Sequence, residues 1–161
     1  MNQIKLRNAR KEDLNNVLDL IKELATFEKA PNEVTITTND LENDGFGDKP
    51  LFYIIVAEIE QKIVGMSFWY ISYSTWKGRC LYLEDIIVKE DYRGLGIGKM
   101  LFEATIAEAK LLDAKRMQWQ VLDWNQPAID FYKKYEANLD NTWVNGKFTE
   151  EQLKRFFTKE L

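Results

Sequence analysis

Apolar residues at Leu14, Val17, Leu18, Ile21 and Leu24 recur at spacings of three and four behind Asp13. That pattern predicts an amphipathic helix, and Pro31 ends it. Ahead of it, residues 4–7 alternate apolar and polar, as a short half-buried strand does. After a loop, 35–42 reads as a second short helix and 45–50 as a turn-rich link. Three strands follow at 52–59, 62–72 and 79–88, with Glu60 and Gln61 placed to turn a hairpin between the first two. A helix is expected from the glycines at 94–98 to about residue 112, with Ile97, Leu101, Ala104 and Leu111 on one side. A short strand at 117–121 and a helix at 127–135, capped by Asn125, come next. The tail from Trp143 holds a strand and then helical character over 150–157. The order predicts a mixed α and β domain spanning 1–161, with a strand–glycine–helix unit at its centre.

Composition narrows the chemistry. With 161 residues the chain suits one compact domain. It has no histidine, which excludes Ser-His-Asp and Cys-His nucleophile machinery, the HExxH site and His-containing zinc sites. A single cysteine, Cys80, excludes an intrachain disulfide framework and an all-cysteine metal cluster. No metal is expected. Catalysis has to run on carboxylates, tyrosines, lysines and backbone amides. The 22 basic and 26 acidic residues form no basic stripe, so a nucleic-acid partner is not expected, whereas a cationic substrate is compatible. No apolar run is long enough for a bilayer span, and residues 1–7 lack the apolar core of a signal peptide. A cytoplasmic protein without a membrane partner is the expectation.

The segment Asp91-Tyr92-Arg93-Gly94-Leu95-Gly96-Ile97-Gly98-Lys99 lies between a predicted strand and a predicted helix. Alternating glycines let successive N–H groups face one anion beside a helix N-terminus. Two familiar phosphate loops fail here. A P-loop needs a glycine where Arg93 stands and Ser or Thr where Met100 stands; the dinucleotide fingerprint needs a glycine where Lys99 stands.

The run Arg93-Gly94-Leu95-Gly96-Ile97-Gly98 resembles the acetyl-CoA pyrophosphate loop of the GNAT superfamily of N-acetyltransferases. The likeness continues through 83–88 (Leu-Glu-Asp-Ile-Ile-Val), 124–133 (Trp-Asn-Gln-Pro-Ala-Ile-Asp-Phe-Tyr-Lys), 21–25 and 44–47, which are similar to the diamine (spermidine/spermine) acetyltransferase subgroup. It implies a GNAT-like fold: a mixed, largely antiparallel sheet with a splayed central pair, flanked by helices. It implies acetyl-CoA as co-substrate, a small cationic amine, most of all a diamine or polyamine, as acceptor, and a homodimer. Acetylation of a lysine-like amino acid is the second enzymatic reading, and a non-catalytic acyl-CoA-binding module the reading of another class. Three departures fall on the substrate side: Tyr135-Glu136-Ala137 after the tyrosine, Phe27 in place of a more polar aromatic, and a shortened 138–143 segment.

The resemblance also implies site residues. The backbone of Gly94, Leu95, Gly96, Ile97, Gly98 and Lys99, with Arg93, would hold the pyrophosphate. The edge at Ile86, Ile87 and Val88 would pair with the pantetheine arm as an added strand, and an N–H near Val88 would polarise the thioester carbonyl. Asn125, Pro127, Ala128 and Tyr132 complete the cofactor side. Tyr132 would protonate the leaving thiolate; by its own pattern alone, Phe131-Tyr132 reads as an aromatic pair packing a helix on the sheet. Phe27 and Glu28 match substrate contacts, although Glu28 alone reads as a solvated loop charge.

The acceptor poses the harder problem. An ammonium with a pKa of about 10.4 is neutral in about one molecule per few thousand at pH 7, roughly 4.6 kcal/mol. Glu84, at the end of an apolar strand, is the candidate proton acceptor, directly or through water. A regular strand would turn Asp85 to the opposite face, so the two are not expected to act as a dyad. Trp69, Tyr70, Tyr73 and Trp76 read as hairpin core or dimer contact, or else as walls of a cation channel.

Overall fold

The computed structural model describes residues 3–156. The chain divides into two compact units, the first ending at Gln120 and the second beginning at Val121.

The first unit is built on a five-stranded sheet in the order β1-β2-β3-β4-β5: β1 (Lys5–Asn8), β2 (Tyr53–Ile59), β3 (Lys62–Ser74), β4 (Gly78–Val88) and β5 (Met117–Gln118). All neighbours are antiparallel except β4 and β5, which run parallel. Glu60 and Gln61 both take positive φ, the backbone of a two-residue hairpin whose twist matches its strands. Alternation along β2 feeds two cores. Ile54 and Val56 join Met66 and Ile87 beneath α1 (Leu14–Phe27) and α2 (Thr38–Gly45), with Leu14, Val17, Leu20 and Leu41 completing that layer. Ile55, Ala57 and Ile59 join Val64 on the other face beneath Ile97 and Leu101 of α3 (Ile97–Leu111). A partly buried Arg7 ties β1 to the start of α1 by donating from its guanidinium to the Asp13 carboxylate at 2.6 Å, and it pairs with Glu58 at 2.8 Å. The arginine and a backbone N–H from Arg10 hold the Asp13 carboxyl below the usual carboxylate range.

Three sequence expectations are corrected in this unit. The second helix starts at Thr38, not at 35, because Thr37 and Asp40 cap each other's backbone N–H groups and leave 34–37 extended. Leu111 is 80% exposed; Phe102 and Thr105 fill the buried stripe of α3 instead, and the Thr105 hydroxyl donates to Ser67 Oγ at 2.9 Å within the core. The strand expected over 117–121 pairs only at Met117 and Gln118.

The second unit contains α4 (Gln126–Lys133) and α5 (Glu150–Phe156). Residues 138–149 form neither helix nor strand, so the strand expected after Trp143 is absent among the described residues. The end of the expected terminal helix, Phe157, lies outside the described residues.

Candidate active site

Parallel pairing of β4 with β5 covers only Leu81 with Met117 and Tyr82 with Gln118. From Leu83 to Val88 that edge of β4 has no strand partner among the described residues, which leaves Ile86, Ile87 and Val88 with an open backbone edge. Their side chains still serve the sheet: Ile87 lies in the core under α1, and Ile86 and Val88 pack toward α3.

A single 3-10 turn, Glu90–Tyr92, carries the chain from β4 into the glycine turn. Gly94 and Gly96 both have φ of +79°, which L side chains rarely adopt. Among the described residues a Cβ at either would meet nothing within 4 Å beyond its chain neighbours, so these glycines serve the backbone conformation and leave open space beside it. Gly96 caps the 15-residue α3, whose first N–H groups lack intrahelical acceptors and carry the positive end of the helix dipole. Gly98 follows at a distance: a Cβ there would lie 3.9 Å from Val88 Cγ2. Lys99 is exposed and 3.9 Å from Glu103. The open cradle of N–H groups fits a phosphate, and the free β4 edge fits an extended amide-bearing chain.

On the face of β4 toward α1, the strand is irregular. Asp85 pairs with Phe68 and Leu83 with Trp69, so Glu84 is an extra residue without a cross-strand partner. The shift places Asp85 two residues before Ile87, on the α1 side of the sheet. Tyr70 lies two residues after Phe68; burial and then the Glu84 charge raise its phenol, and Tyr82 stacks on it with ring centroids 5.2 Å apart. Burial, Glu84 and then Glu28 push the Asp85 carboxyl up to about 7. Burial also raises Glu28, which directly follows α1. The expectation that Asp85 faces away from Glu84 is therefore wrong, because the bulge cancels the alternation on which it rested. Glu28, Glu84 and Asp85 form one electrostatically coupled group. Asp85 is the member that sequence reasoning missed; its partner strand, not its own segment, carries the signal.

Phe27, at the end of α1, lies beneath the guanidinium of Arg93, whose carbon is 5.6 Å from the ring centroid. Arg93 Nε donates to the Val88 carbonyl at 3.1 Å. Arg79, by contrast, donates to the Leu112 carbonyl at the far end of α3. Of the hairpin aromatics, Trp69 is buried and stacks on Tyr53, while Tyr73 and Trp76 are exposed. Cys80 is buried, with its thiol 3.4 Å from the Gly78 carbonyl.

In the second unit, the Asn125 side-chain oxygen accepts the Ala128 N–H at 3.3 Å, and Pro127 sits in the first turn of α4. These features make a defined helix start and place Tyr132 on its buried side at 5% exposure. Burial pushes the Tyr132 phenol up to about 12, so it holds its proton at neutral pH. Phe131 packs edge-on against both Tyr132 and Tyr135. Among the described residues, no helix is long and apolar enough to cross a membrane, and no His, Cys, Asp and Glu group of three or more is placed to hold a metal ion.

Comparison with known proteins adds four findings. The pattern described as the Acetyltransferase (GNAT) family matches residues 14–136. A thialysine N-epsilon-acetyltransferase of Bos taurus is 42% identical over 89% of this chain and 88% of its own length. The human spermidine/spermine N(1)-acetyltransferase-like protein 1 is 36% identical over 95% of this chain, which spans 24% of that longer protein. An integron cassette protein from the mobile metagenome of V. cholerae, 21% identical, superposes with a TM-score of 0.78 over 97% of this chain and 98% of its own, a likeness of fold.

Proposed function

The chain belongs to the GNAT acetyltransferase family and acetylates an amine from acetyl-CoA; on that premise we propose that its acceptor is a small amine carrying a second positive charge, a diamine or polyamine. The carrying observation is the convergence of Glu28, Glu84 and a buried Asp85 pushed up to about 7. A carboxylate group of this kind attracts an ammonium and also has a member able to take its proton. Proton transfer from an amine of pKa about 10.4 to a group near 7 is uphill by about 3 units, roughly 5 kcal/mol; to an ordinary aspartate it would be uphill by roughly 9 kcal/mol. Burial and like charge thus remove nearly half of that barrier.

In this reading Glu28 holds the remote cation, and Glu84 with Asp85 takes the proton, directly or through water. Acetyl-CoA supplies the activated acetyl group. The N–H groups of 94–99 bind its pyrophosphate, the Ile86–Val88 edge pairs with its amide-bearing arm, and a backbone N–H near Val88 polarises the carbonyl. Tyr132 holds a proton on its phenol oxygen for the departing sulfur. From a phenol near 12 to a thiol near 8.5 that transfer is uphill by about 3.5 units, roughly 5 kcal/mol, so it accompanies C–S cleavage instead of preceding it. Attack is direct: Cys80 is buried beside Gly78 near the start of β4, four residues before Glu84.

A lysine-like acceptor is the second reading, favoured by the name of the bovine relative. The position of Arg79, outside this carboxylate group, favours the diamine. We further take 1–161 as one acetyltransferase domain, because the family match runs across the boundary at Gln120. A cytoplasmic homodimer completes the proposal, and light scattering tests the dimer. A screen of amines with acetyl-CoA, reading free thiol, tests the activity. Release with spermidine, cadaverine or thialysine is expected. Tight CoA binding without release for any amine would favour a binding module.

A further inference from the structure

At the end of the sheet where β2 begins lies a cavity of about 350 Å³. Phe46, Phe52, Tyr53 and Trp69 line it, with Asn8 and Glu108 among the polar residues beside them. Glu108 stands twelve residues beyond Gly96 along α3, about 18 Å, so this cavity and the glycine turn belong to opposite ends of the helix. Its aromatic walls are closely packed. Tyr53 stacks on Trp69 with centroids 4.6 Å apart, Phe52 meets Phe68 at 4.3 Å, and a Cβ at Gly45 would collide with the Phe52 ring.

Two polar groups of this lining lack partners. The half-buried Glu108 carboxylate has no ion-pair partner among the described residues. Trp69 is 5% exposed, and its Nε1–H is buried without an acceptor among the described residues. A buried donor of this kind calls for a ligand oxygen, and a carboxylate beside aromatic rings draws an ammonium. The Tyr53 ring, 40% exposed, is the one free to tilt off the indole and admit that oxygen. A diamine carries two ammonium groups and no acceptor, so it answers Glu108 alone. Its monoacetylated form carries one amide carbonyl, one ammonium and methylenes between them, and answers the indole, the carboxylate and the rings together.

We propose that this cavity is a second ligand site, separate from the acceptor site, for an N-acetylated amine that keeps one ammonium: the carbonyl accepts from Trp69 Nε1–H and the ammonium pairs with Glu108. That such a molecule is the product of this enzyme rests on the diamine reading above. The site is linked to the catalytic acids through the sheet. Trp69 pairs with Leu83 on one side of the bulge, and Phe52 packs on Phe68, which pairs with Asp85 on the other. An occupant thus sits against both residue pairs that flank Glu84.

The probe is N-acetylputrescine, titrated calorimetrically into CoA-saturated parent, Glu108→Gln and Trp69→Phe. The expected result is two equivalents bound by the parent, at the acceptor site and the cavity, and one by each variant. Glu108→Gln should keep the parent's kcat/KM for putrescine, read by thiol release, because the cavity takes no part in the acceptor site. A parent that binds a single equivalent, or a Glu108→Gln protein that still binds two, overturns the proposal. Two equivalents retained in Trp69→Phe overturn the carbonyl contact on which the choice of ligand stands. A fall in putrescine turnover that matches the loss of binding in Glu108→Gln overturns it as well, since the cavity then belongs to the acceptor site. A parent that releases no thiol with any amine overturns the diamine reading instead, and the titration, which needs no turnover, still decides the cavity.

Discussion

Glu84 and Asp85 are consecutive residues of one strand that serve the same face of the sheet, because Glu84 is an extra residue between the Leu83–Trp69 and Asp85–Phe68 pairs. The Glu84 charge then adds to burial in raising the Asp85 carboxyl to about 7. A bulge thus turns two ordinary acids into a group that both attracts an ammonium and can accept its proton.

Removal of the neighbouring charge should move that group. As a base, Asp85 acts only when ionised, so kcat/KM for a diamine should fall below about pH 7. Glu84→Gln eliminates a like charge, lowers the Asp85 pKa and shifts the acidic limb to lower pH. The pH profile of kcat/KM in the two proteins measures this. A limb that stays in place would detach Glu84 from the ionisation.

Asp85 should also weaken the fold at alkaline pH. Its folded value of about 7 stands above its unfolded value near 3.8, so the folded state binds more protons between them. Stability is then lost as pH rises through that window and is lowest above it. Asp85→Asn should be more stable than the parent at pH 8, by about 1–3 kcal/mol, and nearly equal at pH 4. Urea unfolding at the two pH values decides the matter; an Asn variant less stable at pH 8 would contradict the burial of a reluctant charge.

Much of this arrangement is legible from residue order. The glycine turn is recognised because Gly94 and Gly96 stand between an apolar strand and an apolar helix, and both do adopt left-handed backbone. Asn125 and Pro127 announce the start of α4, and Glu60-Gln61 the hairpin. The bulge at Glu84 is not legible, since it exists only in the register of β4 against β3. The coupling of Glu28 to Asp85 is equally hidden, because 57 positions of sequence carry no record of proximity. Leu111 misled for a simpler reason: it is the last residue of α3, beyond the sheet that buries Ile97, Leu101 and Thr105.

Tyr132→Phe keeps the ring and removes the proton. The expected outcome is a kcat lower by about 10²–10³ with little change in the KM for acetyl-CoA. Steady-state kinetics with a saturating diamine measures both. An unchanged kcat would mean that water protonates the thiolate.

Gly96→Val strains a backbone held at φ +79° and puts a branched side chain into the open space beside the turn. Since the new Cβ meets nothing within 4 Å among the described residues beyond its chain neighbours, the fold should survive while CoA affinity falls at least tenfold. Calorimetric titration with CoA reads this, and equal affinity would remove the turn from the cofactor site.

Thiol release from acetyl-CoA by the parent and by Asp85→Asn, at pH 7.5 with saturating spermidine or thialysine, tests the carboxylate group most directly. The expected result is turnover by the parent and a kcat lower by about 10²–10⁴ in the variant, with CoA affinity retained. A variant that turns over as fast as the parent would contradict the assignment of Asp85 as the proton acceptor.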